Sequence, residues 1–251
     1  MPRYFLEVSY KGTRFNGFQI QQNANSIQAE LQKVFEIIKR PVVMTGSSRT
    51  DSGVHAIQNY LHFDLEEDIQ ERMIYKLNAI LPADIMIRSI TPVKSEAHCR
   101  FDAVSREYKY YIYRKKNPFL NDRAYYFPYK IDIDSMEKAA GIIKKHTDFT
   151  SFSRRNTQVK TFECKIMSSQ WEWKNDVLVY QVEGNRFLRG MVRALTATML
   201  KVGRNKISIT EFEEILNARN CTEASFGVPP HGLFLIAVNY MQDYFTKVQE
   251  Y

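Results

Sequence analysis

The chain has 251 residues, 44% of them hydrophobic, with only 10 glycines and 8 prolines, so it can bury a substantial core and lacks the composition of a disordered protein. Lysine and arginine outnumber aspartate and glutamate by 35 to 28, giving a formal charge of +7 that attracts polyanions, nucleic acid first among them. No apolar stretch is long enough to span a bilayer, and the N-terminal residues show no secretory signal.

The three cysteines, Cys99, Cys164 and Cys221, lie far apart with no C-x-x-C pair. That pattern argues against a disulfide framework or a cysteine zinc site and suits a reducing cytoplasm, so a cytoplasmic location is expected.

Arg3 to Tyr10 alternates as a strand does. Ser26 then stands as an N-cap ahead of Ile27, Leu31, Val34, Phe35 and Ile38, which share one helical face. V-V-M (Val42 to Met44) and A-I-Q-N-Y-L-H-F (Ala56 to Phe63) predict two strands joined by a polar loop. Ile74, Leu77 and Leu81 predict a second helix that ends at Pro82, and I-M-I-R-S-I predicts another strand. The order is β-α-β-β-α-β.

The second half repeats that order. R-E-Y-K-Y-Y-I-Y-R reads as a strand and D-I-D-S-M-E-K-A-A-G-I-I-K-K as a helix. E-C-K-I-M-S-S-Q-W-E-W and V-L-V-Y-Q-V-E-G form a hairpin across Lys174, Asn175 and Asp176. Leu188, Met191, Val192, Leu195 and Met199 mark a helix from about Phe187 to Lys201. I-T-E-F-E-E-I-L adds a helix, and L-F-L-I-A-V-N-Y closes as a strand. Two split β-α-β units in tandem predict an α+β protein of two ferredoxin-like halves, residues 1–104 and 105–251, joined around a shared sheet. The cleft between halves is the expected place for a large ligand.

The loop from Thr45 to Ala56, T-G-S-S-R-T-D-S-G-V-H-A, holds a single carboxylate, Asp51, among small neighbours. An Asx-turn between strands is one reading of it. The loop is longer than a hairpin needs, however, and carries Arg49, Thr50, Asp51 and His55 in close succession, which favours a site. On the predicted Phe187–Lys201 helix, Arg189 and Arg193 fall opposite the apolar face, with Arg186 joining them if the helix begins early. Such a stripe is either a solvated basic face or a set of cations for phosphates and for one carboxylate.

Arg106 to Lys116 interleaves four tyrosines with five cations. Alternation puts Tyr108 and Tyr110 on one sheet face and Tyr111 and Tyr113 on the other. Tyrosines beside Arg106 and Lys109 suit stacking on unpaired bases and contacts to an RNA backbone, although tyrosine is also a strand former and part of this set is expected in the core. Further basic clusters occur at Lys144-Lys145-His146 and at Arg154-Arg155. No phosphate-binding, dinucleotide-binding or zincin motif is present, and the five scattered histidines show no metal-ligand spacing, so no metal is expected.

G-S-S-R-T-D-S-G-V-H-A resembles G-A-G-R-T-D-A-G-V-H-A, the signature of the TruA-like tRNA pseudouridine synthases. The resemblance continues through Y-K-G-T-R-F-N-G-F-Q-I-Q, S-I-Q-A-E-L, L-N-A-I-L-P-A-D-I, H-C-R-F-D-A, R-E-Y-K-Y-Y-I-Y, N-R-F-L-R-G-M-V-R-A-L and H-G-L-F-L-I-A-V-N-Y, in consistent order from about Tyr4 to Tyr240. Ser47, Ser48 and Ser52 replace Ala, Gly and Ala of that signature, and Phe18 stands where the family often has Trp.

The resemblance implies the pseudouridine synthase fold, with two RRM-like halves sharing a mainly antiparallel sheet around a central cleft. It implies conversion of uridine to pseudouridine in the anticodon stem-loop of tRNA, typically at positions 38 to 40, by a homodimer that uses no cofactor. It implies Asp51 as the catalytic aspartate, Tyr108 as the residue that stacks on the target base, and Arg193 as the partner of the aspartate. Arg49 is implied to help hold the flipped-out nucleotide. Arg106, Lys109, Arg186 and Arg189, singled out by the charge pattern alone, are expected as further RNA contacts.

The reaction breaks a C–N glycosidic bond, turns the base and rejoins it through carbon, and the sequence leaves open whether Asp51 attacks the base or acts on the ribose. Two other readings accompany this one. A catalytically silent RRM-like RNA-binding module explains the charge and the tyrosines but not the R-T-D loop. A hydrolase needs a second acid in the cleft, such as Asp102.

Overall fold

The computed structural model describes residues 1–155, 159–242 and 244–245. The chain forms two compact units, Met1–Val104 with Leu235–Tyr251, and Ser105–Phe234. The last strand groups with the first unit, whereas a linear division leaves it with the second.

In the first unit, β1 (Arg3–Tyr10), α1 (Ile27–Ile37), β2 (Thr45–Gly46), β3 (His55–Asp64), α2 (Glu71–Ile80) and β4 (Ile85–Val93) follow in order. β1 is central, antiparallel to β3 on one side and β4 on the other, and β2 pairs with β3. Tyr4, Leu6, Val8 and Tyr10 are all buried, so one full face of β1 enters the core. Ser26 caps α1 by accepting the Ala29 amide at 3.3 Å, and Ile27, Leu31, Val34 and Phe35 are buried beneath it.

The expected strand at Val42–Met44 is not one. Val42 and Met44 are buried and Val43 is exposed, which imitates strand alternation, but the ladder begins only at Thr45, opposite His62. The Met44 carbonyl is taken by the Gln28 side chain at 2.7 Å instead of by a neighbouring strand.

The second unit contains β5 (Ser105–Tyr113), β6 (Tyr125–Tyr126), α3 (Ile133–Ile143), β7 (Ile166–Lys174), β8 (Val177–Gly184), α4 (Met191–Gly203) and α5 (Ile209–Asn217). β8 pairs antiparallel with both β5 and β7, and β6 runs parallel to the end of β5. The β7–β8 turn places Asn175 at φ 55°, a left-handed conformation that asparagine tolerates. Asp132 caps α3, and Ser208 with Glu211 forms a capping box on α5. β9 (Leu233–Asn239) follows, and from Leu235 on it lies beside β3 in the first unit.

α4 is an interior helix rather than an amphipathic one. Every residue from Met191 to Gly203 except Arg193 and Lys201 is buried. The buried hydroxyls of Thr196 and Thr198 donate back to the Val192 and Ala194 carbonyls, each at 2.8 Å, so neither is left without a partner. Its end presses on α3, where a Cβ on Gly203 would stand 2.5 Å from the Met136 sulfur. Among the described residues, no helix is long and apolar enough to cross a membrane.

Candidate active site

In the first unit Asp51 sits half-buried at the tip of the β2–β3 connection, and the residues around it are tied down. The Thr50 hydroxyl lies 2.8 Å from the Tyr10 hydroxyl, deep in the core. The Asn59 side chain donates to the Tyr10 hydroxyl at 3.3 Å and to the Ser48 carbonyl at 2.9 Å. The Thr50 carbonyl accepts the Phe18 amide, and the Ser52 hydroxyl donates to the Phe15 carbonyl, both at 3.1 Å. Val54 N–H closes the turn on the Asp51 carbonyl at 3.1 Å.

Three glycines let this scaffold close. A Cβ on Gly46 would stand 2.3 Å from the Phe18 ring, and one on Gly12 would stand 2.0 Å from the Val54 carbonyl oxygen. Gly17, at φ 94°, lies against the Thr50 carbonyl. Phe18, fully buried, fills the space beneath the loop, so a phenyl ring completes the packing where the resembled family often has Trp. The hydroxyls of Ser47 and Ser48 are buried with no hydrogen-bond partner among the described residues. Arg49 points to solvent.

In the second unit, Arg106, Tyr108 and Tyr110 share one face of β5, all buried. Tyr108 meets Phe187 edge to face at 5.1 Å between ring centres, and Arg106 donates to the Asn185 carbonyl at 2.9 Å. Both therefore reach the segment that connects β8 to α4. Tyr110 donates its hydroxyl to the Pro229 carbonyl at 2.7 Å, and burial pushes its ionisation well above the ordinary tyrosine range, partly offset by Arg193. Lys109 lies on the opposite face from Tyr108, with its ammonium 3.3 Å from Glu107.

The basic stripe on a Phe187–Lys201 helix does not exist as such. Gly190 takes a left-handed φ of 76° and the helix begins only at Met191, so Arg186 and Arg189 precede it in the connection and only Arg193 is helical. Arg186 is half-buried and Arg189 exposed. The Arg154 amide donates to the Arg189 carbonyl at 3.1 Å, and a Cβ on Gly190 would meet the Arg154 side chain at 3.2 Å. The fold thereby unites two basic stretches that the sequence shows separately.

Arg193 occupies the first turn of α4, where a cation opposes the positive end of the helix dipole at a cost of about 0.3–1 kcal/mol. Its guanidinium is fixed by the Val228 carbonyl, which accepts from Nε at 3.1 Å and Nη2 at 2.7 Å. The helix end and the guanidinium together favour an anion at this point.

One cluster escapes linear reading. His62 on β3, and His98 with Cys99 beyond β4, bring their ligand-type atoms within 4.8 Å of one another. The pairing of β1 with both β3 and β4 assembles them, and no local spacing signals it.

A family model described as tRNA pseudouridine synthase matches residues 7–102 and 146–241. The chain belongs to the tRNA pseudouridine synthase family. It is 42% identical to a protein of Parabacteroides distasonis named tRNA pseudouridine synthase A, over 98% of both chains. A protein of the same name from Azobacteroides pseudotrichonymphae is 40% identical, over 96% of this chain and 97% of that one. A third from Staphylococcus aureus is 35% identical, over 93% of this chain and 90% of that one. The model's matched segments contain Arg49, Asp51, Arg186, Arg189 and Arg193, while Arg106, Tyr108 and Lys109 fall between them.

Proposed function

We propose that the chain isomerises uridine to pseudouridine in tRNA with Asp51 as its catalytic carboxylate. The family's reaction is isomerisation, with no group lost and nothing oxidised, and the chain is an isomerase of that kind. In this reading Tyr108 stacks on the target uracil so that it turns without escaping, and Arg193 supplies the positive charge that answers the aspartate. Arg49, Arg106, Arg186 and Arg189 contact the RNA, and the net charge adds general phosphate affinity. Lys109 contributes less, being paired with Glu107 on the other face of β5. Reaching a paired uridine requires flipping it out, which costs a few kcal/mol of unstacking and is offset by contacts in the pocket.

The observation that supports this most is the construction of the R-T-D loop. Ser48, Thr50 and Ser52 are each anchored to the surrounding scaffold, so the loop presents Asp51 in one fixed direction. A spacer between strands has no need of a buried Tyr10–Thr50–Asn59 network. The finer expectations belong to the same proposal: two RRM-like halves, a homodimer working in the cytoplasm, and target uridines at positions 38 to 40 of the anticodon stem-loop. The antiparallel β4-β1-β3 order of the first unit, built from a β-α-β-β-α-β run, supports the reading of an RRM-like half.

The test is tritium release from tRNA labelled at uridine C5, followed by mapping of the modified positions. Release with the ribose still attached supports the synthase. Bound tRNA without release favours the silent binding module, and free uracil favours a hydrolase.

A further inference from the structure

We propose that His62, His98 and Cys99 form a transition-metal site in the first unit, with Zn2+ the ion their donors suit best. One ligand atom from each residue lies within 4.8 Å of the other two. Two imidazoles and a thiol form a nitrogen–sulfur set that selects zinc over magnesium or calcium, which need oxygen ligands.

The geometry is close to that of a loaded site. His62 Nδ1 stands 3.2 Å from Cys99 Sγ, and tetrahedral zinc with ordinary bond lengths holds nitrogen and sulfur about 3.5 Å apart; the same Nδ1 accepts the Cys99 amide at 3.4 Å, a long bond that metal binding would replace. Cys99 is fully buried, His62 is nearly so and His98 is half-buried, which leaves the ion a route from solvent past His98. His98 Nδ1 accepts the Arg100 and Phe101 amides at 3.2 and 3.4 Å, which fixes its ring and leaves Nε2 as the ligating atom.

The supporting shell is also in place. The His98 amide donates to Asp102 at 2.8 Å, and the Tyr240 hydroxyl holds the Cys99 carbonyl at 2.6 Å. Arg3, the nearby cation, is matched by Asp64 through two hydrogen bonds at 2.7 and 2.9 Å. On loading, the Cys99 thiol proton passes to buffer, and the sulfur lone pair takes the metal in place of the 3.1 Å bond from Sγ to the Thr45 carbonyl. Nothing is oxidised or reduced. The ion would clamp the turn after β4 onto β3, a structural role that uridine isomerisation does not require.

The experiment titrates the chelator-treated full chain with Co2+ and then with Zn2+. The expected result is one Co2+ per chain with a thiolate-to-cobalt charge-transfer band, displaced by Zn2+, which also raises the thermal midpoint by a few degrees. Cys99→Ser abolishes the band, and His98→Gln, at the half-exposed ligand, weakens Zn2+ binding by about ten- to a hundredfold. If Cys99→Ser fails to fold, His98→Gln decides. A wild-type chain that takes up neither ion, or uptake that is unchanged in His98→Gln, overturns the site and leaves a hydrogen-bonded His–Cys pair. Tritium release is expected to continue in chelator, so this test and that of the isomerase can fail separately.

Discussion

Arg193 directs two guanidinium donors, Nε and Nη2, at one backbone carbonyl, that of Val228. The next carbonyl along, Pro229, accepts the Tyr110 hydroxyl. α4 and β5 thus hold consecutive peptide groups, and the fork of Arg193 is aimed by the backbone it grips. Lysine offers the charge without the fork. Arg193→Lys is expected to lower turnover by about ten- to a hundredfold, roughly 1.4–2.7 kcal/mol of transition-state stabilisation, with a much smaller change in tRNA affinity. Single-turnover rates alongside filter-binding affinities measure the split, and an unchanged rate would remove Arg193 from the site.

Tyr10 supports the Asp51 loop from below through Thr50 and Asn59. Tyr10→Phe keeps the ring and deletes the hydroxyl, leaving Thr50 short of a buried partner. The expected cost is about 1–2 kcal/mol in urea unfolding, with a fall in turnover at nearly constant tRNA affinity. Equal loss of both would show that the loop as a whole had moved.

Ser47 and Ser48 bury hydroxyls that find no partner among the described residues. Replacing either with alanine removes an unsatisfied group while keeping a small side chain. Ser47→Ala and Ser48→Ala are expected to leave stability unchanged or raise it by about 0.5–1 kcal/mol, read from the urea midpoint at constant slope. A loss of more than 1 kcal/mol would mean that the hydroxyls are bonded.

Burial, chiefly, lowers His62 from 6.5 to about 4, with His98 and Arg3 adding to the effect. Above pH 6.5 the ring is neutral in both folded and unfolded chains and contributes no pH dependence. Between 6.5 and about 4 the unfolded chain takes up the proton first, so stability falls as the solution is acidified. His62→Gln should flatten this limb by an amount of order 2 kcal/mol, measured by urea unfolding across that range with chelator present. Parallel curves for the two proteins would contradict the shift.

Local signals carried much of the fold. Ser26 with the Ile27–Leu31–Val34–Phe35 face, the I-T-E-F-E-E-I-L run and the Arg3–Tyr10 alternation all report on neighbouring residues, and each element stands where they put it. Val42–Met44 misled because its side chains alternate in burial while its backbone pairs with no strand. The start of α4 was hidden because a left-handed Gly190 ends the connection, and because a helix buried nearly all round carries no polar stripe to mark its limits. Arg154 meeting Arg189, and His62 meeting Cys99, are products of long-range pairing that no window of sequence contains. The R-T-D loop stood out through its length and density of functional groups, but its Tyr10–Asn59 underpinning became visible only in three dimensions.

Everything proposed for the reaction turns on the Asp51 carboxylate. Asp51→Asn keeps the shape of the side chain and removes its charge, and the surrounding Ser48, Thr50 and Ser52 anchors do not depend on that carboxylate. The measurement is tritium release from C5-labelled tRNA by wild type and by Asp51→Asn, with tRNA affinity determined in parallel. Release by wild type, none above background by the variant, and tRNA binding retained in both are expected. Release by Asp51→Asn at a rate near that of wild type would contradict the role proposed for Asp51.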